Sequence, residues 1–196
     1  MNNNEENPYD NKDPYDILQG WHEKAKEQKE DPYASFVLEY LTFIFYLKKI
    51  KKLDENNAEE VKRLKKDIKL RREYSDAEAV KTLKKDKKLR EEYLKLIKEK
   101  KELQDTWQEL INKLEKDPLR FYIPSRGERF LKIESIEDWK NMLDFWRIIR
   151  NHLFHAEKYL ENRDVFLVSC AYKTLSPLIE EIILKNKLKN KDLNLM

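Results

Sequence analysis

The chain has 196 residues and a mass of 24.0 kDa. A chain of this size buries roughly 70% of its unfolded surface, so it needs no disulfide or metal to hold a core. Charged residues make up 40% and the net charge is +3. There are only two glycines, Gly20 and Gly127. That argues against a turn-rich sheet protein and excludes a glycine-rich phosphate loop or a dinucleotide-binding fold. The single Cys170 allows neither an internal disulfide nor a cysteine zinc site.

Residues 1–32 are rich in Asn, Asp and Pro, with little apolar periodicity. They read as a loosely ordered arm. Their start lacks the basic and apolar stretches of a signal peptide, which suggests a soluble, cytoplasmic protein. His22 falls in this arm and reads as a surface residue. At Pro32 the text becomes apolar almost all round as far as residue 50. Asp31 reads as the N-cap and Pro32 as the first helical residue. A helix of that kind lies at the centre of a core. Its longest apolar stretch, Phe36 to Leu47, is interrupted by Glu39 and is too short to span a bilayer.

An internal repeat follows. Val61–Tyr74 recurs as Val80–Tyr93, with eleven of fourteen positions identical. Ser75-Asp-Ala-Glu78 between the copies is a capping box, so the copies belong on separate helices. From Lys48 to Lys101 there are 21 Lys and Arg against 12 Asp and Glu, whereas residues 1–33 hold 4 against 9. Residues 53–105 therefore read as a basic helical-hairpin insertion, suited to nucleic acid or simply a solvated face. The stripe Leu89, Tyr93, Leu96, Leu103, Trp107, Leu110 and Leu114 continues the helix to Asp117-Pro118, interrupted only at Lys100. Unbroken from Ser75 to Lys116, it would span about 60 Å, so part of it would project.

Residues 118–134 form a loop or short β-hairpin turning at Ser125-Arg126-Gly127. Arg120, Arg126 and Arg129 interleave with Phe121, Tyr122 and Phe130. Such a set can clamp single-stranded RNA, or its aromatics can plug the core. Ser135-Ile-Glu-Asp138 reads as a second capping box opening a helix with the stripe Ile136, Trp139, Leu143 and Trp146. The last helix starts after Asn162 and runs to about Lys187. Its stripe is Val168, Ala171, Leu175, Leu178 and Ile182, with a kink expected at Pro177. Cys170 reads as a core residue. The whole is an all-α domain over residues 33–188.

Two of the three histidines lie in Trp146-Arg147-Ile-Ile-Arg150-Asn151-His152-Leu-Phe-His155. On a continuing helix Asn151 and His155 share a face. No acidic ligand stands in register with His152 and His155, so the set lacks the logic of a metal site. Arg, Asn and His together suit phosphate chemistry. Histidine carries protons near neutral pH. Arginine binds phosphate and stabilises developing charge. RNA supplies its own nucleophile, the 2′-hydroxyl. The alternative is a helix-end hydrogen-bond network with no catalysis.

Arg150-Asn151-x-x-x-His155 resembles the R-x(4–6)-H motif of the HEPN superfamily. Arg150-Asn-His-Leu-Phe-His155 is similar to the Arg-Asn-x-Leu-Phe-His form of one bacterial and archaeal branch, and Arg163-Asp164 is similar to the Arg-Asp that follows it there. Ala156 replaces the branch's usual Gly, and Glu157 stands where some members carry a Tyr modified with AMP. The resemblance implies an all-α, dimeric, cofactor-free and metal-independent endoribonuclease of a toxin–antitoxin or phage-defence system. Arg150, Asn151 and His155 would be catalytic, leaving a 2′,3′-cyclic phosphate. Arg120, Tyr122, Arg126, Arg129, Arg147 and His152 would bind RNA. The partners implied are a second copy, RNA and a cognate antitoxin or regulatory protein, with no membrane. Arg147 and His152 offer a rival register, weaker because apolar Ile148 follows that arginine. A non-catalytic RNA- or protein-binding module is the other functional reading.

Overall fold

A computed structural model describes residues 13–50, 80–123, 127–155 and 162–193. Among the described residues the fold is all-α apart from one two-stranded hairpin. Helix α1 is Pro14–Glu27 and α2 is Pro32–Phe45, continuing as a π-helical turn Tyr46–Ile50. Then come α3 (Lys87–Glu99), α4 (Lys101–Lys116), β1 (Leu119–Ile123), β2 (Gly127–Leu131), α5 (Trp139–His155) and α6 (Asn162–Leu193). Helix α6 packs against each of α1 to α5, and α2 packs chiefly against α6 and α1.

Local chemistry sets the boundaries. Asp31 accepts hydrogen bonds from the Tyr33 and Ala34 amides at 3.0 and 3.1 Å and caps α2, with Pro32 at the first position. Asp86 caps α3 through the Leu89 amide at 3.0 Å. Lys100 takes an extended conformation (φ −104°, ψ 100°) that ends α3 and starts α4, at the one gap in the apolar stripe. Gly127, at φ 70°, occupies left-handed backbone where a side chain would be strained. Pro177 lies inside α6, which runs on to Leu193 instead of ending near Lys187.

The core is an aromatic cluster around Trp146. Its ring meets those of Phe43, Tyr93, Trp107 and Trp139 at centroid distances of 5.7 to 6.3 Å. Four helices join there by hydrogen bonds as well. The Trp146 indole donates to Thr174 Oγ1 at 2.9 Å, and that hydroxyl donates to the Cys170 carbonyl at 2.7 Å. The Tyr93 hydroxyl donates to the Thr174 carbonyl at 2.5 Å and accepts from the Trp107 indole at 2.9 Å. Each polar atom in this dry cluster has a partner, which is the condition for burying it.

Several expectations are corrected. The segment 13–32 is not a loose arm: α1 is capped by Asp13 and buries Leu18, His22 and Ala25. His22 is only 5% exposed and Glu39 is 0% exposed. They meet at 2.8 Å, Nδ1 to Oε1, joining α1 to α2. A polar-looking helix docks because this pair and the Ser35 hydroxyl, which donates to the Ala25 and Gln28 carbonyls, tie it to α2. Residues 80–105 are not a projecting appendage. Val80, Leu83, Leu89, Tyr93, Leu96 and Ile97 are core residues, and Tyr93 is fully buried. Nor do they form part of one long rod, because the chain breaks after Leu83 and again at Lys100. The first repeat copy, 61–74, and the capping box at 75–78 lie outside the described residues. Helix α5 starts at Trp139, not Ser135. Asp138 is its cap, accepting from the Asn141 amide at 3.4 Å and the Asn141 side chain at 2.8 Å.

Two outcomes follow. Thr174→Val keeps the shape but leaves the Trp146 indole unpaired, so urea denaturation should show a loss of about 1–3 kcal/mol. An unchanged midpoint would remove Thr174 from its structural role. Burial pushes the Glu39 carboxyl above its ordinary value of 4.5, against the opposing pull of the His22 ring. The folded state therefore holds that proton more tightly than the unfolded state does. Relative to Glu39→Gln, the natural protein should lose stability as pH rises from about 4.5 through the raised value. Parallel stability curves for the two proteins would contradict this.

Candidate functional site

Helix α5 presents the Arg-Asn-His motif at its C-terminal end. Trp139, Leu143 and Trp146 are buried at helical spacing, and Arg150 continues the stripe one turn beyond Trp146. The rotation of the helix is set by its two indoles. Trp139 donates to the Leu83 carbonyl at 3.3 Å and Trp146 donates to Thr174. Arg150 consequently emerges half-buried at the rim of the core.

Its guanidinium is steadied by neighbours on the same helix. Nη1 donates to Asn151 Oδ1 at 2.9 Å, and Cζ lies 4.8 Å from the centroid of the Phe154 ring. Cation–π contact of this kind contributes about 0.5–1 kcal/mol at an exposed site. Phe154 is 56% exposed. The helix continues through His155, so Asn151 and His155 stand one turn apart as expected. The His155 side chain, Ala156 and Glu157 lie outside the described set.

Arg147 is elsewhere engaged. It pairs at 3.5 Å with Asp144, which also holds Lys84 at 2.5 Å. His152 is exposed on the helix surface. The backbone thus brings Arg150 and Asn151 together and leaves Arg147 in a separate ion cluster.

The hairpin pairs Leu119 with Leu131, Arg120 with Phe130, Phe121 with Arg129 and Tyr122 with Glu128. Leu119 and Leu131 are buried, and Phe121 packs partly against the core. The opposite face carries Arg120, Tyr122, Glu128 and Phe130, all exposed. Of the aromatics, only Phe121 serves the core. Arg129 is exposed on the strand carrying Phe130, and Arg126 lies outside the described residues.

Cys170 is buried among apolar residues, and burial pushes its thiol up to about 12. Among the described residues, no group of three or more His, Cys, Asp or Glu is placed to hold a metal ion, and no helix is long and apolar enough to cross a membrane. The buried His22–Glu39 pair was not anticipated. Two signals point to it: His22 continues the Leu18/Ala25 stripe, and Glu39 interrupts an otherwise apolar helix. No family model, curated protein or solved structure matches the chain.

Cys170 should resist a thiol reagent in native buffer and react fully in denaturant. Rapid native labelling would show that this part of α6 opens readily.

Proposed function

We propose that the chain is a metal-independent endoribonuclease of HEPN type, working in a toxin–antitoxin or phage-defence setting. The observation that carries the reading is the Arg150 guanidinium, steadied by Asn151 and Phe154 at the helix end that also bears His155. A cation fixed at a surface rim can receive a phosphate without first paying to order its side chain.

The reaction is a transesterification within RNA. The 2′-oxygen attacks the adjacent phosphorus, the bond to the 5′-oxygen breaks, and a 2′,3′-cyclic phosphate and a 5′-hydroxyl result. His155 accepts the 2′-hydroxyl proton or supplies one to the leaving oxygen. Arg150 binds the phosphate oxygens and offsets their growing charge. Asn151 orients the guanidinium or the imidazole. One histidine serves one of the two proton transfers. The other falls to a second copy across a two-fold axis, which makes the protein a homodimer with a shared cleft. The exposed Phe154 ring supplies apolar surface for that interface.

Activity should survive EDTA and be lost in His155→Ala at equal folded fraction, with a labelled RNA as reporter. Dependence on added Mg²⁺ or Zn²⁺ would overturn the mechanism, and loss in His152→Ala alone would move the register. Phe154→Asp should weaken self-association in light scattering. A fully active monomer would eliminate the shared cleft. A second reading, a non-catalytic RNA- or protein-binding module, is favoured by the exposed aromatic face of the hairpin. It predicts binding without cleavage in the same assay.

A further inference from the structure

The outward face of the hairpin needs a reason. A hairpin that only closes the core requires one apolar face, and Leu119, Phe121 and Leu131 supply it. On the other face Tyr122 is 71% exposed and Phe130 is 56% exposed. Large exposed rings cost solubility, and a patch of them marks a contact site. We propose that this face is a two-base stacking platform for single-stranded RNA, built by Tyr122 and Phe130 with Arg120 between strand and phosphate. The proposal rests on the ribonuclease reading only for its choice of RNA over DNA.

Three observations lead to it. The first is the register. Arg120 is opposite Phe130 and Tyr122 is opposite Glu128, so the two rings are diagonal neighbours on one face. Diagonal positions across an antiparallel pair are about 7–8 Å apart. Successive bases within a duplex strand are about 3.4 Å apart. The rings therefore cannot continue a duplex stack. They suit two unstacked bases of a splayed single strand, one on each ring.

The second is charge. The segment 118–132 carries four Arg and Lys against one Glu, a net positive stretch that draws a polyanion to the hairpin, while on the ring face itself the charged side chains are Arg120 and Glu128. The third is the state of Arg120. Its guanidinium lies 5.8 Å from the Phe130 ring centroid and pairs with Glu128 at 3.4 Å. Both groups of that ion pair are largely exposed, so the pair contributes little and is readily exchanged for a phosphate. Arg120 is stored beside the ring whose base it would accompany.

The test uses the full chain carrying His155→Ala, so that RNA stays intact. Fluorescence anisotropy would compare a labelled oligo(U) strand with a blunt RNA duplex. Tyr122→Thr and Phe130→Thr retain strand preference, and circular dichroism checks their folding. Base–aromatic stacking contributes about 1–3 kcal/mol per base, so each variant should weaken oligo(U) binding about five- to 150-fold. Tyr122→Phe should bind as the parent does, and duplex affinity should not respond to these changes. Unchanged oligo(U) affinity in both Thr variants would overturn the platform. Lost self-association with oligo(U) binding intact would assign the face to a protein contact, and so overturn it too. If wild type binds oligo(U) through these rings yet cuts no RNA, the ribonuclease reading fails alone. If wild type cuts RNA and the Thr variants leave KM unchanged, the platform fails alone.

Discussion

Thr174 is the point on which the architecture turns. Its hydroxyl accepts from α5 through Trp146, and its carbonyl accepts from α3 through Tyr93, which in turn accepts from α4 through Trp107. Indole and phenol groups are too large to leave outside a core and too polar to bury unpaired. Helix α6 resolves that conflict with one residue, because a threonine can offer both a side-chain and a main-chain oxygen to its neighbours. The aromatic rings then pack edge to face around Trp146. The order of helices around α6 follows from where those partners must sit.

This geometry reaches the surface through α5. Trp139 and Trp146 fix the helix by two indole hydrogen bonds, so the rotation of every later residue is also set. Arg150 is the first position at which the buried stripe meets solvent. Its guanidinium meets two neighbours on its own helix, Asn151 and Phe154. The scaffold sets where the motif stands at the end of α5. Arg147, three residues earlier, pairs instead with Asp144, which also holds Lys84.

Helix α1 is held by a different device. α1 buries few large apolar side chains, and its attachment to α2 relies on the His22–Glu39 contact and on Ser35. Among the described residues, His22 Nε2 and Glu39 Oε2 find no hydrogen-bond partner, so this pair is less well satisfied than the Thr174 network. Two lysines from different elements, Lys26 and Lys100, meet the Glu180 carboxylate on α6 at 3.4 and 3.2 Å and add a surface latch. Burial alone would push that carboxyl up, but the lysines outweigh it and hold it below the usual range.

Much of the fold was legible in the sequence because it depends on neighbours in the chain. The Asp31–Pro32 start of α2, the stripe from Leu89 to Leu114, the turn at Gly127 and the stripes of α5 and α6 all follow from periodicity and capping. The motif at 150–155 was legible for the same reason, since helical spacing alone puts Asn151 one turn from His155. What the sequence could not determine was partnership across the chain. His22 looked like a surface residue until Glu39, seventeen positions away, gave it a buried partner. The basic text of 80–105 looked detachable, because its lysines are local while the value of Tyr93 depends on Thr174 and Trp107. In the hairpin, alternation divides the residues into two faces but does not say which face meets the core. Only the packing of Leu119 and Leu131 left Tyr122 and Phe130 in solvent.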